Sequence, residues 1–411
     1  MSRNINNKGL EDILYPITKE DFFENYYEKK VCLIKRNNLN YFKELLNVAH
    51  LDDYMTNSTI QYPKIRMVDY NRELKSDSYT NTNGTINATN AIKEFHNGAT
   101  LVFSGLHDHL ENMKFLVDNV SKDYWQKLQT NIYFTPPNSQ GFQAHYDTHD
   151  VFVIQTSGSK KWYIFENDEM YLPLKSQSFE ADKYNSGNIV QEFILDAGDT
   201  LYIPRGVFHS AETQNSHSIH ITMGLLAVTW SDLLVENVIH LAKNIPELRK
   251  NVPFHRNNEV DNQIAMEKLL DLVKANTLYR RNEKRFKKDL IQNQVPTLKN
   301  QLVQIGLIDD IDENTEFYTR TNLLFIEKVD SKEVELFIMG NKLKFPAFTL
   351  PIIDFIKNSK ATFNMNDLPD IIDDKGKIAI IKRLVKEGLL IINNIKKNNK
   401  NETNNISMLY A

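Results

Sequence analysis

Residues 141–165 read GFQAHYDTHDVFVIQTSGSKKWYIF, and residues 195–213 read LDAGDTLYIPRGVFHSAET. The first stretch contains a His-x-Asp pair, His145 and Asp147, and the second supplies a distant histidine, His209. Two histidines and one carboxylate are the ligand set that holds Fe(II) on one face and leaves the opposite face open. Residues two apart on a strand point to the same side, so we expect both members of the pair to lie on a strand and reach one ion.

The surrounding sequence predicts a small β-barrel. Between residues 130 and 228, short β-rich runs alternate with turn signals: NIYFTPP, VFVIQTSG, KKWYIFE, TLYIPRG and SIHITMGLLAV. This spacing is typical of an all-β barrel or sandwich. Gly198 predicts a turn before the strand at 200–203, and Gly206 permits another turn before His209. The sequence therefore places a metal at the mouth of a barrel.

Other histidines compete for a ligand role, and the chain has 11 of them. The cluster 107–109, His-Asp-His, is predicted to be an exposed loop or the start of a helix. His149 and Asp150 fall out of phase with His145 or further along the same strand. His220 sits in an alternating strand, where it is either a packed, hydrogen-bonded side chain or part of the pocket wall. A single His-x-Asp pair is a weak signal without its context.

A lysine on the next predicted strand strengthens that context. Gly158 predicts a turn, after which Lys160 and Trp162 share one face. A lysine directed into a barrel is costly unless an anion pairs with it, and a dicarboxylate cosubstrate would provide that anion. The alternative is a surface lysine beside Lys161.

Three polar residues alternate onto one face of the preceding predicted strand: Asn131, Tyr133 and Thr135. Polar groups at positions facing the inside of a barrel fit a ligand pocket. They could equally form an outer, solvated face.

Composition restricts the class of protein. A chain of 411 residues suggests about two to three domains. The net charge of -4 argues against a broadly basic nucleic-acid binder, although a local basic patch stays open. The single cysteine, Cys32, excludes a disulfide framework and a Cys-based zinc site within one chain. No run of about 18 apolar residues predicts a membrane span, and the N-terminus lacks an apolar signal core, so we expect a cytoplasmic protein.

The flanking regions have different patterns. Helical periodicity and a short strand at 31–34 precede a second predicted helix from Tyr41 to Leu51, and 75–90 is predicted to be a flexible loop or hairpin tip. Residues 231–292 are helical, and the last hundred residues mix strands with helices before a polar tail.

The motifs together resemble those of the JmjC-type ribosomal oxygenases of the cupin-4 group. The resemblance rests on H-Y-D-x-x-D-V-F-x-x-Q-x-x-G-x-K-x-W, on G-D-x-L-Y-I-P-R-G-x-x-H, on S-x-H-I-T-x-G-L, and on N-x-Y-x-x-P-P before the first of these. The opening YPITKEDFFENYYEKKVCLIKR also looks like the N-terminal segment of that family. The resemblance covers residues 10–228 by motif and 229–395 only by architecture.

This resemblance implies Fe(II), 2-oxoglutarate and O2 as cofactors of a protein hydroxylase. The iron ligands would be His145, Asp147 and His209. Lys160 matches the lysine that pairs with the distal carboxylate of 2-oxoglutarate, and Asn131 matches a second residue that contacts 2-oxoglutarate. We assign the substrate pocket to Tyr133, Ser218 and His220. Some relatives carry a serine where this chain has Gly224.

The implied fold is of the α+β class. A double-stranded β-helix core (JmjC/cupin) would span 1–228, a helical dimerisation region 229–305 and a winged helix 306–395, with a polar tail at 396–411. The dimer interface is expected on the first helix after the barrel, through its apolar residues Leu233, Leu234, Val238, Ile239 and Leu241. The winged helix favours a protein-interaction role over DNA binding.

The expected reaction is hydroxylation of a side chain, histidine or arginine, of a ribosomal protein or another polypeptide. Two alternatives stay open: a tailoring hydroxylase for a ribosomally made peptide, and a non-catalytic cupin-like binding protein. Basic residues cluster on one predicted helix, at Arg280, Arg281, Lys284, Arg285, Lys287 and Lys288. Such a run is usually a solvated helix face, so we expect no direct binding of nucleic acid.

Overall fold

The structure is a computed structural model. It describes residues 9–395 except 58, 167–170, 181–182, 184–185, 254–258, 277–278, 297, 321–323, 329 and 360, and it also describes 404–405. The polar tail predicted at 396–411 therefore lies almost wholly outside the described residues. Within the described residues, no helix has the length and apolar character needed to cross a membrane.

The first half of the chain is a barrel with helices before and between its first four strands. The helices are α1 (Leu10–Leu14), α2 (Lys19–Asn25), α3 (Val48–Asn57), α4 (Ala88–His96) and α5 (Glu111–Tyr124). The strands are β1 (Cys32–Ile34), β2 (Ile65–Val68), β3 (Thr100–Ser104), β4 (Lys127–Thr135), β5 (Asp150–Phe165), β6 (Ile189–Asp196), β7 (Thr200–Ile203), β8 (His209–Glu212) and β9 (Ser218–Leu226). The predicted β-barrel region is confirmed, because the runs quoted above all lie in strands β4, β5, β7 and β9.

Two antiparallel sheets share strand β5. One sheet has the order β1-β7-β5-β9-β4-β3-β2, and the second half of β5 also pairs with β6 and β8. The core of this half combines residues from the N-terminal helices and the barrel, from Leu10 to Leu225. A smaller apolar cluster lies between the two sheets and includes Val153, Trp162 and Leu201. The N-terminal helices and the barrel therefore fold as one packed unit.

Strand β5 is continuous, where the sequence predicted two strands separated by a turn at Gly158. Instead of a turn there is an irregularity between Gln155 and Ser157, followed by Gly158 with a φ of 63°. A Cβ on Gly158 would lie 1.8 Å from the backbone oxygen of His217, so only glycine fits. This bulge bends β5 and lets one strand belong to both sheets.

A second correction concerns the helix predicted from Tyr41 to Leu51. Residues 41–45 form turns, and helix α3 begins only at Val48. The side chain of Asn47 accepts a hydrogen bond from the backbone N–H of His50, which caps the helix at that point. The polar segment 75–90 turns at Gly84, and isolated bridges pair it with itself and with Gln61, as expected of a hairpin tip.

The second half of the chain contains three long helices and a separate mixed unit. The helices are α6 (Trp230–Ala242), α7 (Glu259–Asn276) and α8 (Tyr279–Gln292). The mixed unit contains α9 (Gln301–Gly306), β10 (Glu316–Thr319), β11 (Leu324–Lys328), β12 (Glu333–Ile338), β13 (Asn341–Pro346), α10 (Leu350–Asn358), α11 (Asp374–Lys386), β14 (Leu390–Ile395) and β15 (Asn404–Asn405). It has its own core, from Ile308 to Ile392. The helical region and mixed unit follow the predicted order, and the winged-helix assignment stays a prediction.

Candidate metal centre

The three predicted metal ligands lie together at the mouth of the barrel. One ligand atom from each of His145, Asp147 and His209 lies within 4.8 Å of the other two. The Nε2 atom of His209 is 3.8 Å from an Oδ atom of Asp147. Among the described residues this is the cluster of metal-ligating groups that the structure brings together, and its donor set is the one expected for Fe(II).

The way in which the ligands are positioned differs from the expectation. His145 and Asp147 precede β5 and do not belong to a regular strand. An isolated antiparallel bridge holds His145 opposite His209, with backbone hydrogen bonds of 3.1 and 2.8 Å between the two residues. The backbone N–H of Gly206 also donates to the carbonyl of Asp147 at 2.9 Å. The predicted ligands are close together because an irregular segment pairs with the turn at Gly206 and with the first residue of β8, which strand alternation does not predict.

Both histidines have a defined tautomer. The Nδ1 of His145 lies 2.8 Å from the carbonyl oxygen of Gln143, and the Nδ1 of His209 lies 3.0 Å from that of Val207. Since a carbonyl oxygen only accepts, each Nδ1 carries the proton and each Nε2 keeps its lone pair for a metal. Burial and the neighbouring His145 lower the pKa of His209 to about 4, although Asp147 opposes this shift. His209 is therefore neutral at physiological pH, as a metal-binding imidazole must be.

A cavity of about 70 Å³ adjoins the ligands. Its wall includes Lys160, whose side chain is buried with its Nζ donating to the Thr135 hydroxyl at 3.1 Å. No described carboxylate lies within salt-bridge distance of this ammonium group. Burial accordingly lowers the pKa of Lys160 to about 7. Lys160 thus points inward, as the barrel interpretation predicted, and the surface-lysine alternative is wrong.

Several buried polar atoms near the cavity have no hydrogen-bond partner among the described residues. They include Nδ1 of His220, Nε1 of Trp162 and Oδ1 of Asn131. Buried polar groups are almost always satisfied, so unpaired polar atoms beside a buried ammonium group are the features expected of a site for a polar ligand. The Lys160 ammonium group and the N–H of Trp162 fit an anionic molecule such as a dicarboxylate bound next to the predicted metal ligands.

Only some of the predicted pocket residues line the cavity. Tyr133 and His220 line the cavity, and their rings stack with centroids 4.9 Å apart. Burial lowers the pKa of His220 well below its usual value, with a further contribution from Lys160. Asn131 lies on the same strand as Tyr133 but is not among the residues that line the cavity. Ser218 does not line the cavity, contrary to its prediction as a pocket residue. It is fully buried, and its hydroxyl accepts a hydrogen bond from the Gln155 side-chain amide at 2.8 Å.

The other histidines that were considered as metal ligands pack against neighbouring residues instead. His107 does not lie in an exposed loop, because its Nδ1 is 2.8 Å from the Thr130 hydroxyl and its side chain is 14% exposed. The ring of His149 lies over Gly224, where an added Cβ would be 2.3 Å from Cδ2 of that ring. A serine at this position, as in some relatives, would require the imidazole to move.

The sequence did not identify every group at the site. Thr222 lines the cavity beside His220 and could have been found from the alternation of β9. Phe142 also lines it, with its ring 5.7 Å from that of His145. Phe179 packs 6.3 Å from the same imidazole, and it belongs to an insertion between β5 and β6 that carries no sequence signal for this contact.

Comparison with known proteins agrees with this fold and site. Residues 106–233 match the model of the JmjC domain. The chain is 33% identical over 227 residues to the bifunctional lysine-specific demethylase and histidyl-hydroxylase NO66 of Aedes aegypti, over 54% of this chain and 35% of that protein. It is 30% identical over 256 residues to ribosomal oxygenase 1 of Danio rerio, over 57% of this chain and 44% of that protein.

Among solved structures, the chain resembles YcfD of E. coli with a TM-score of 0.57 and 16% identity, over 91% of this chain and 98% of that one. A YcfD structure described as a ribosomal oxygenase in complex with cobalt and 2-oxoglutarate matches with a TM-score of 0.54. The fold and the site are thus similar to those of JmjC-domain proteins. The resemblance to the ribosomal oxygenases is confirmed, although the chain spans less than half the length of these NO66 and ribosomal oxygenase 1 relatives.

Proposed function

We propose that the chain is an Fe(II)- and 2-oxoglutarate-dependent oxygenase that hydroxylates a histidine or arginine side chain of a ribosomal protein or another polypeptide. The observation that carries this proposal is a buried lysine without a carboxylate partner beside a cluster of two histidines and one aspartate. The names of the relatives, which include histidyl-hydroxylase and ribosomal oxygenase, support the same activity.

Each residue of the site would have a separate role in this reaction. When bound, iron and 2-oxoglutarate supply the oxidation of a substrate C–H bond by O2, coupled to release of succinate and CO2. The two imidazole Nε2 atoms and the Asp147 carboxylate would hold the metal ion. Lys160 would pair with the distal carboxylate, whereas Asn131 does not line the cavity and is given no contact with 2-oxoglutarate. Tyr133 and His220 would border the substrate, and the buried ring of Trp162 excludes water from the cavity wall.

The test of this function is release of succinate by the full chain with Fe(II) and 2-oxoglutarate, with and without candidate peptides from ribosomal proteins. Stimulation by a peptide that gains one oxygen atom in mass spectrometry supports the proposal. A protein that binds the peptide without forming succinate would instead be a non-catalytic binding module. A substrate found only among small precursor peptides would favour the tailoring-hydroxylase alternative.

We further propose that helix α6 forms a homodimer interface. An exposed apolar face of this helix consists of Leu234, Val235, Val238 and Ile239, at 37–59% exposure. A contiguous exposed apolar surface of this kind favours association. Of the five residues expected there, Leu233 and Leu241 are half-buried within the chain. Sedimentation should give twice the mass of one chain, and Val238→Glu should yield monomers. A wild-type chain that sediments as a monomer would contradict the proposal.

The domain boundaries at 228, 305 and 395, and a winged helix over 306–395, belong to the same proposal. Direct binding of nucleic acid by α8 is disfavoured, because its basic side chains have acidic partners. Lys288 pairs with Glu327, Lys287 with Glu283, and Arg285 with Glu236, each at a surface position. The side chains of Arg280 and Arg281 lie outside the described part of the chain.

A further inference from the structure

A buried ion pair joins Asp150, three residues after Asp147, to Arg205, four residues before His209. Asp150 is fully buried, and its Oδ2 accepts a hydrogen bond from Nη1 of Arg205 at 2.9 Å. Its Oδ1 accepts from the Tyr202 hydroxyl at 3.0 Å and from the backbone N–H of Arg205 at 3.2 Å. The same Nη1 of Arg205 also donates to Glu28 at 2.6 Å. Both oxygens of the Asp150 carboxylate are therefore satisfied by groups from another segment.

This pair joins the two segments that carry the metal ligands. Asp150 follows Asp147 at the start of β5, and Arg205 lies in the turn that leads into His209 at the start of β8. Two backbone hydrogen bonds already fix His145 against His209. Within the described part of the chain, Asp147 has one backbone hydrogen bond of this kind, from the N–H of Gly206, which is the neighbour of Arg205. The position of Asp147 therefore depends on the Arg205 turn more than that of His145 does.

Deepening the proposed function, on which this inference rests, we propose that Asp150 and Arg205 are positioning residues that hold the Asp147 carboxylate within reach of the metal. Neither residue belongs to the cluster of groups that could hold the ion. A buried, hydrogen-bonded ion pair has a fixed geometry. It therefore holds the segment that carries Asp147 in a fixed position relative to the turn at Arg205. Partners outside the ligand set typically change metal affinity by about 10–100-fold when mutated.

The test measures Co²⁺ affinity and the visible spectrum of the bound Co²⁺ for the full chain. The variants are Asp150→Asn, Arg205→Met and their combination, compared with Asp147→Ala. We expect each single variant to weaken Co²⁺ binding by about tenfold. The double variant should be no weaker than either single one, because the two residues act through one pair. The spectra of all three should shift toward that of Asp147→Ala, since the carboxylate is the ligand displaced.

Two controls separate positioning from loss of folding. Leu45→Ala removes a buried side chain of the N-terminal core and should lower stability without changing Co²⁺ affinity. Arg205→Lys keeps a charge opposite Asp150 but replaces the planar guanidinium, so it should retain the fold and bind Co²⁺ with intermediate affinity. This variant keeps the inference testable if Arg205→Met does not fold.

The possible results distinguish a failure of the proposed function from a failure of the positioning role. Wild-type chain that binds no Co²⁺ contradicts the proposed function itself. Wild-type binding together with unchanged affinity and spectrum in Asp150→Asn overturns the positioning role alone. Additive losses in the double variant, or affinity losses that follow stability in every variant including Leu45→Ala, also overturn it.

Discussion

Replacement of Lys160 by methionine should selectively weaken binding of 2-oxoglutarate. The Lys160 ammonium is the buried cation of the cavity, and its one described hydrogen bond is to the neutral Thr135 hydroxyl. Methionine has a similar length and fills the same apolar surroundings without charge. The metal ligands contact neither atom of this hydrogen bond, so the metal should still bind.

The size of the effect follows from two opposing contributions. A hydrogen bond between charged groups stabilises by about 3 kcal/mol at the upper end of measured values. At pH 7, Lys160 with a pKa of about 7 is half protonated, and charging it costs about 0.4 kcal/mol. The difference of about 2.5 kcal/mol corresponds to roughly 60-fold weaker binding in Lys160→Met.

The dependence on pH gives an independent check of the same residue. Burial lowers the pKa of Lys160 to about 7 in the free protein, and a bound carboxylate would raise it again. Binding therefore takes up a proton above pH 7, and the affinity of the wild-type chain should fall by up to about tenfold per pH unit as the pH rises. Lys160→Met should lack this dependence.

The assay is calorimetric titration of 2-oxoglutarate into the Co²⁺-loaded chain between pH 6 and pH 9. The matched control is Lys161→Met, because Lys161 is the adjacent lysine and its Nζ pairs with Glu192 at 3.1 Å on the outer face. It should bind 2-oxoglutarate as the wild type does. Near-wild-type affinity in Lys160→Met, or a wild-type affinity that does not change from pH 7 to pH 9, would refute the assignment.

Three further outcomes are expected. Asp147→Ala removes one of three ligands, so it should lower Co²⁺ affinity by more than about a hundredfold and abolish 2-oxoglutarate turnover, measured by titration and succinate release. Gly158→Ala places a Cβ 1.8 Å from a backbone oxygen at a positive φ and should destabilise the fold by about 3 kcal/mol in urea unfolding. Gly224→Ala meets only the ring of His149, which can rotate away, and should cost less than about 1 kcal/mol in the same measurement.

Each of these three predictions can be contradicted by a specific result. Iron-dependent turnover retained in Asp147→Ala would remove Asp147 from the ligand set. The two glycine variants control for each other, because both add one methyl group to a strand of the same barrel. Equal stability losses for Gly158→Ala and Gly224→Ala would show that the backbone contact at Gly158 is not what limits the bulge.

The sequence alone was sufficient to predict local features that depend on the alternation of side chains along a strand. Alternation placed Tyr133 on a polar face of its strand and left His220 as a possible part of the pocket wall. The structure pairs these two residues across β4 and β9. The spacing from the His-x-Asp pair to Lys160 and His209 predicted the donor set and the buried cation. Such features depend on residue type and on the alternation of side chains along a strand, both of which are visible in the sequence.

Contacts between segments distant in sequence determined the features of the fold and the site that the sequence did not predict. The sequence predicted a turn at Gly158, but pairing with β9 on one side of the bulge and with β6 and β8 on the other makes one bent strand. The cluster at His107 was expected to be an exposed loop or the start of a helix. Residues Leu106–Asp108 form a short 3-10 helix, and the contact of His107 with Thr130 leaves its side chain mostly buried. Asp150 was considered only as a competing ligand, whereas Arg205 makes it the partner of a buried ion pair.

The sequence by itself thus determined which atoms are available at this site: two imidazoles, one carboxylate and one ammonium group. The tertiary structure alone decided how they are held, because His145 and Asp147 lie in an irregular segment whose position depends on the turn before His209. The physical reason is that backbone pairing and burial between segments distant in sequence depend on the whole fold. Local patterns specify which side chains are present, and contacts between distant segments specify the distances between them.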